Sequence, residues 1–366
     1  MEPHIKIFED NELFKFTLSK VNVSLANALR RIMLSEIPCV VIRTETHDEN
    51  KCNIISNTSR LHNEILKQRL SCIPIHMDFD QLEDLPDNYI LEIDLTNKED
   101  HMIYVTTEDF KIRNKLNGHL LTSDAIKKIF PPSEQGYYID FARLKPKISD
   151  TILGEEIKLE ADFSISNAKV NSMFNVVSKC AYSNTPDLLK IDKAWKEQEA
   201  KLSKDLSKED IDFKKKNFYI LDAQRIYVEN SFDFIVKSVG VYKNIDIVKK
   251  GCEILYLKFE NLIKSIDNGI INVLYSDTTI ENCFDIHLED EDYTIGKVLE
   301  YILYTNYYEK EKKLSYCGFK KFHPHDNFSV IRIAFYEKND KNMSLQFLRN
   351  AASDAVDIYK KMYKSF

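Results

Sequence analysis

"FKFTLSKVNVSLANALRRIML", residues 14 to 34, and "FDIHLEDEDYTIGKVLEYILY", residues 284 to 304, superpose without a gap at an offset of 270 residues. An alternating run opens both stretches, with Phe14, Phe16 and Leu18 matching Phe284, Ile286 and Leu288. Side chains alternate across a strand, so this period of two predicts a half-buried strand in each copy. The period then changes: Leu25, Leu29, Ile32 and Met33 match Ile295, Leu299, Ile302 and Leu303. At about 100° per residue these positions share one helix face. Ser24 and Thr294 stand where an N-cap hydroxyl would accept from the first free amides. A strand and helix written twice in one chain predict a pseudo-twofold body, because a twofold pair is the commonest symmetric arrangement of similar units.

Each copy is followed later by a second strand and a long helix. "SFDFIVKSVG" leads into a helix from about Asn244, with Val248, Cys252, Leu255, Phe259, Leu262 and Ile266 spaced 4, 3, 4, 3, 4. "FSVIRIAFY" leads into residues 344 to 364, with Leu345, Leu348, Ala352, Ala355, Tyr359 and Met362 spaced 3, 4, 3, 4, 3. Such spacing gives a continuous apolar stripe that packs on a sheet or along a partner helix. The expected seam comprises Leu25, Leu29 and Ile32 of the opening helix, Val248, Cys252, Leu255 and Phe259, and Leu345, Leu348, Ala352 and Tyr359.

The expected fold is α+β: two dimerisation units, each a sheet packed with long helices, form a pseudo-twofold intramolecular dimer with an inserted mainly β domain. Residues 1–77 open the first unit. Residues 78–158 form the insert, with strand signals in "NYILEIDL" and "MIYVTT" and turns at Asn117-Gly118 and Pro131-Pro132. Residues 159–266 complete the first unit and include a charged helix and linker at about 187–217; residues 267–282 connect, and 283–366 form the second unit.

Composition bounds the function. A chain of 366 residues with 43% hydrophobic and 11% aromatic residues buries a real core. Lys and Arg number 51 against 58 Asp and Glu, a net charge of -7. Gripping nucleic acid relies on cationic side chains displacing counterions, so DNA and RNA are expected to be met only indirectly. No stretch has signal-peptide or membrane-spanning character, which leads to the expectation of an intracellular protein with no membrane partner. The seven cysteines make no CxxC pair and are expected to be reduced, with most of them buried.

Little in the chain suggests catalysis. Eight glycines leave little for phosphate loops, and no GxSxG, Walker A lysine or histidine-glutamate zinc motif occurs. The cluster His287 to Tyr293, with Glu289, Asp290 and Asp292, has the residue types for a metal-dependent hydrolase. Alternation along a strand and the positive end of a helix dipole account for the same acids. His323 and His325 flank Pro324 in a turn-like segment and lack further ligands nearby, so no metal and no cofactor are expected.

On the opening helix, Asn27, Arg30, Arg31 and Leu34 fall opposite the apolar arc. Arginines on a wet face are common, while an apolar residue among arginines is what a partner interface presents. Helical phase leaves both readings open. Pro38 marks the end, because a residue before proline is pushed out of the helical region.

"FKFTLSKVNVSLANALRRIMLSEIPCVVIRTE" resembles the signature of the alpha and alpha-like subunits of cellular DNA-directed RNA polymerases, and "NTSRLHNEILKQRLSCIPIHM" is similar to the segment that follows it in the third-largest subunit. "GEEIKLEADFSISNAKVNSMFNVV" and "FDFIVKSVGVYKNIDIVKKGCEILYLK" resemble later parts of that subunit. "FDIHLEDEDYTIGKVLEYILYTN" and "LSYCGFKKFHPHDNFSVIRIAFY" resemble the small eleventh subunit, so the chain looks like a fusion of the two, an arrangement similar to that of large cytoplasmic DNA viruses.

The resemblance implies a non-catalytic assembly platform. Its partners would be the second-largest and largest polymerase subunits and small zinc-binding subunits. It also implies that Asn27, Arg30 and Arg31 belong to the family's assembly helix, where an arginine fork holds carboxylates or carbonyls in a geometry lysine does not reproduce. The implied location is host cytoplasm, in viral factories, and the virion, with the nucleus as the alternative. Departures are visible: residues 78 to 158 hold no cysteine for a metal cluster, and Asn167 and Tyr293 stand where relatives usually carry histidine.

Overall fold

A computed structural model describes residues 2–10, 12–149, 151–202 and 207–366. Two compact units emerge: Met1–Met33, Lys179–Lys237 and Asn244–Phe366 form the first, and Leu34–Ser178 with Ser238–Lys243 form the second.

In the first unit, two four-stranded sheets share one strand order. One runs His4–Asp10, Phe14–Ser19, Tyr227–Ser238, Val177–Pro186; the other runs Val273–Tyr275, Cys283–Glu289, Phe328–Phe335, Leu314–Lys320. In both, the second strand feeds a short helix, Val23–Ser35 or Tyr293–Leu303, and the third feeds a long one, Asn244–Asp267 or Lys341–Ser365. Registers agree as well. Ser19 lies opposite Ser231, and the 270-residue offset carries it to Glu289, which lies opposite Phe328. An offset of 97 residues carries Ser231 to Phe328 and also the start of one long helix, Asn244, to the start of the other, Lys341.

The period-two run Phe14–Ser19 alternates buried with half-buried side chains, as a strand covered on one face must. Phe16 stacks on Phe234 at 4.9 Å between ring centroids and takes the Phe366 ring edge-on at 5.0 Å. The long helices pack antiparallel, since Asp267 meets Arg349 at 2.7 Å whereas Glu260 meets Lys360 at 2.6 Å and Tyr256 faces Tyr363. Burying an aliphatic or aromatic side chain contributes about 1.5 to 3 kcal/mol, so this apolar stripe outweighs the exposed ion pairs along its rim.

Three local expectations change. The caps of the short helices are Asn22 and Asp292, two residues before Ser24 and Thr294. Asn22 Oδ1 accepts from the Ser24 amide at 2.9 Å, and Asp292 Oδ1 from the Thr294 amide at 2.7 Å. A side chain reaching forward two residues satisfies the free amide that a hydroxyl already inside the first turn does not. Within 267–282, Val273–Tyr275 is the edge strand of the second sheet, the counterpart of His4–Asp10. The charged stretch at 187–217 contains the helices Leu188–Lys201 and Lys208–Ile220, which bury Ile191, Trp195 and Phe218 together; residues 203–206 lie outside the described residues.

In the second unit, Cys52–Asn57, Glu156–Asp162, Tyr89–Thr96 and Lys111–Asn114 form a four-stranded sheet, and Ile103–Thr106 pairs with Asp140–Leu144. Residues 78–158 therefore share a sheet with a strand that precedes them. Leu91 lies opposite Ala161, and Ile54 opposite Leu159. They also share one core with Val40, Ile42, Leu66, Leu70 and Ile75. A small sheet buries its apolar face only against another layer, and here the helix Asn63–Ser71 contributes to it.

Candidate functional site

All four candidate partner residues of the opening helix, Asn27, Arg30, Arg31 and Leu34, are half-buried. Arg30 and Arg31 are adjacent in sequence, so their side chains leave the helix about 100° apart and have different fates. Arg30 Nε donates to Asn27 Oδ1 at 3.0 Å, one turn back, which fixes the guanidinium against its own helix. Among the described residues no carboxylate lies within ion-pair distance of Arg30. Arg31 is engaged within the chain: Nη2 donates to Asp292 Oδ2 at 2.7 Å and Nε to Thr294 Oγ1 at 2.8 Å. Leu34 is the first residue of the second compact unit.

Asp292 thus does two things. One oxygen caps the helix Tyr293–Leu303 and the other holds Arg31. Burial would raise its carboxyl pKa, but the hydroxyl and amide of Thr294 and the Arg31 guanidinium outweigh burial and hold it below the ordinary carboxylate value. The neighbouring Glu291 accepts from Lys258 Nζ at 3.3 Å, and His287 stacks on Phe328. Two acids of the cluster, Glu291 and Asp292, thus have separate cationic partners, Lys258 and Arg31.

The candidate seam residues are buried but for one. Leu25, Leu29, Ile32, Val248, Cys252, Leu255, Phe259, Leu348, Ala352 and Tyr359 are fully buried, and Leu345 is half-buried. Phe259 and Tyr359 are near-parallel, at 10° and 6.0 Å. Two contributors escape an apolar pattern. The Tyr359 hydroxyl donates to the Leu25 carbonyl oxygen at 3.1 Å in full burial, and Gly251 lets the opening helix approach so closely that a Cβ there would sit 3.0 Å from Met33 Cγ. Matching Asn22 with Asp292 at the 270-residue offset was the available signal for the caps; the Arg31 contact joins residues 261 apart and had none.

The remaining candidates are local in character. His323 and His325 are exposed with rings 5.2 Å apart, and the His325 amide donates to His323 Nδ1 at 3.2 Å. Among the described residues no group of three or more His, Cys, Asp or Glu is placed to hold a metal ion. Asn167 Oδ1 accepts from the amides of Lys169 at 3.1 Å and Val170 at 3.3 Å, a turn that a histidine would close differently. Tyr293 packs edge-on against Phe319 at 5.1 Å. Burial pushes the thiols of Cys39, Cys180 and Cys317 up to about 12, and the exposed Cys72 is raised less. Among the described residues no helix is long and apolar enough to cross a membrane.

Residues 15–259 match the RNA polymerase Rpb3/Rpb11 dimerisation domain family. Among curated proteins, the chain is similar to the DNA-directed RNA polymerases I and III subunit rpac1 of Dictyostelium discoideum, 47% identical over 19% of this chain and 17% of that protein. The DNA-directed RNA polymerase subunit Rpo3 of Methanobrevibacter smithii is 25% identical over 51% of this chain and 60% of its own length. The DNA-directed RNA polymerases I and III subunit RPAC1 of Saccharomyces cerevisiae is 27% identical over 47% of this chain and 54% of its own. The chain therefore spans less than two thirds of the length of each of these relatives.

Proposed function

Because the chain belongs to the RNA polymerase Rpb3/Rpb11 dimerisation domain family, we propose that it is a non-catalytic assembly platform of a DNA-directed RNA polymerase, with two alpha-like units joined in one polypeptide. The observation that carries this is the repeated layout of the first compact unit: two sheets of one strand order, each feeding a short and a long helix, with the long helices packed antiparallel. In this reading the first copy is the counterpart of the third-largest subunit and the second that of the small eleventh subunit. Their pairing is a pseudo-twofold dimer held within the chain.

Asymmetry gives the platform its direction. Arg30, braced by Asn27 and with no carboxylate in ion-pair distance among the described residues, is the group offered to the second-largest catalytic subunit. Arg31 supports the same face from behind by anchoring to Asp292. The largest subunit and small zinc-binding subunits join the assembly, and nucleic acid is met only through them. Fusion of this kind accords with a large cytoplasmic DNA virus as the source, working in host cytoplasm and carried in the virion; fractionation of cells producing the tagged chain distinguishes this from the nucleus.

The decisive experiment is co-expression of the full chain with its second-largest subunit, followed by pulldown and mass spectrometry of the native complex. A stable complex that weakens at least tenfold on Arg30→Ala is expected, since truncating a desolvated charged contact typically costs about 2 to 5 kcal/mol. Recovery of the chain with no polymerase subunit overturns the reading, and an undiminished complex in the variant removes Arg30 from it.

A further inference from the structure

The second compact unit carries a groove of about 620 Å³ that the assembly reading leaves without a role. Arg60, Arg69 and Arg143 line it, and among the described residues none of the three has a carboxylate within ion-pair distance. Two of these guanidiniums are already held in place. Arg69 donates from Nε to the Phe141 carbonyl at 2.7 Å and from Nη2 to the Asp140 carbonyl at 2.6 Å, which leaves the rest of its fork for a ligand. Arg143 lies over the Tyr104 ring at 4.9 Å. Side chains ordered in advance lose less entropy on binding.

The lining also offers apolar surface from the half-buried Leu61 and from Met102, which is 48% exposed, while Phe141 is fully buried. Planar forks in one groove with exposed apolar side chains match carboxylates interspersed with aliphatic side chains. Asp140 and Glu155 also line the groove, with Glu155 paired to Lys145 at 3.5 Å; a nucleic acid fits less well than a peptide because the Tyr104 face that would stack a base is covered by Arg143.

We propose that this groove binds a short acidic, leucine-bearing segment of a partner protein, with its carboxylates in the arginine forks and its aliphatic side chains against Leu61 and Met102. The proposal rests on the groove alone and stands or falls apart from the polymerase role. Its test is fluorescence anisotropy of the full chain with a short labelled peptide alternating glutamate and leucine. Saturable binding is expected, weakened at least tenfold by the double variant Arg60→Glu, Arg143→Glu and weakened also when serine replaces leucine in the probe. Arg69 is left intact because it holds strand carbonyls; if circular dichroism shows that the double variant is misfolded, Arg60→Glu alone carries the comparison. No saturable binding, equal binding by the folded variant, or tighter binding of a single-stranded RNA oligonucleotide at the same site overturns the proposal.

Discussion

At the scale of single residues, Asp292 shows how one side chain ties local and long-range structure together. Asp292→Ala removes the cap and should lower stability by about 1 kcal/mol, measured by denaturant unfolding. Asp292→Asn keeps an oxygen for the Thr294 amide, as Asn22 does at the matching position, and loses only the charge facing Arg31. The Asp292 carboxyl is held below its ordinary value in the fold. Its charge therefore contributes fully above the unfolded-chain value of about pH 4, and that contribution disappears as pH falls through the depressed folded value. The melting-temperature gap between the native chain and Asp292→Asn should accordingly close below about pH 4 and stay constant above it. Thiol chemistry offers a second check at this scale. Cys72 is exposed, whereas burial raises Cys39, Cys180 and Cys317 to about 12, so a chromogenic disulfide at neutral pH should modify Cys72 before them. Rapid modification of Cys180 in folded protein would contradict the packing described.

At the scale of elements, the two short helices differ where their neighbours differ. Ala26 in the first copy matches Gly296 in the second, and both are buried. A Cβ on Gly296 would lie 2.0 to 2.3 Å from ring carbons of Phe319, a strand side chain packed directly on the helix backbone. Gly296→Ala should therefore destabilise by about 2 to 3 kcal/mol even though alanine favours the helix by about 1 kcal/mol. Adding Phe319→Leu should restore part of the loss in urea unfolding; if the single substitution is neutral, the close packing is wrong. The buried stripes of the long helices were legible because steps of three and four residues mark a helix stripe whatever covers it. The Tyr359 hydroxyl bond to Leu25 was not, since hydrophobic spacing carries no information about a hydrogen bond formed 334 residues away.

At the scale of the whole molecule, the repeated layout makes a prediction about covalent continuity. If the two copies associate through the long helices and the shared core, the chain between the edge strand Val273–Tyr275 and the strand Cys283–Glu289 is dispensable once folding is complete. A protease site introduced at the exposed residues 277–280 should be cleavable in the folded protein, with both fragments eluting together on size exclusion. Phe259→Ala, which removes a fully buried ring stacked on Tyr359, should cost about 3 to 5 kcal/mol and accelerate amide exchange throughout Lys341–Ser365. Separation of the fragments in the uncut-equivalent buffer would count against the paired arrangement.

What the sequence determined by itself were the periodic features: the strand-to-helix switch, its recurrence at 270 residues, the apolar stripes of the long helices, and the family to which the chain belongs. These are local patterns, fixed by the two-residue and 3.6-residue repeats of the backbone. Tertiary structure decided the rest. It sent Arg31 to Asp292 and left Arg30 braced on Asn27, made Val273–Tyr275 a sheet edge, and folded residues 78–158 into a core with the segment before them. Each of those outcomes depends on which residues distant in the chain arrive at the same place, and a side chain's neighbour in space leaves no periodic trace in the sequence.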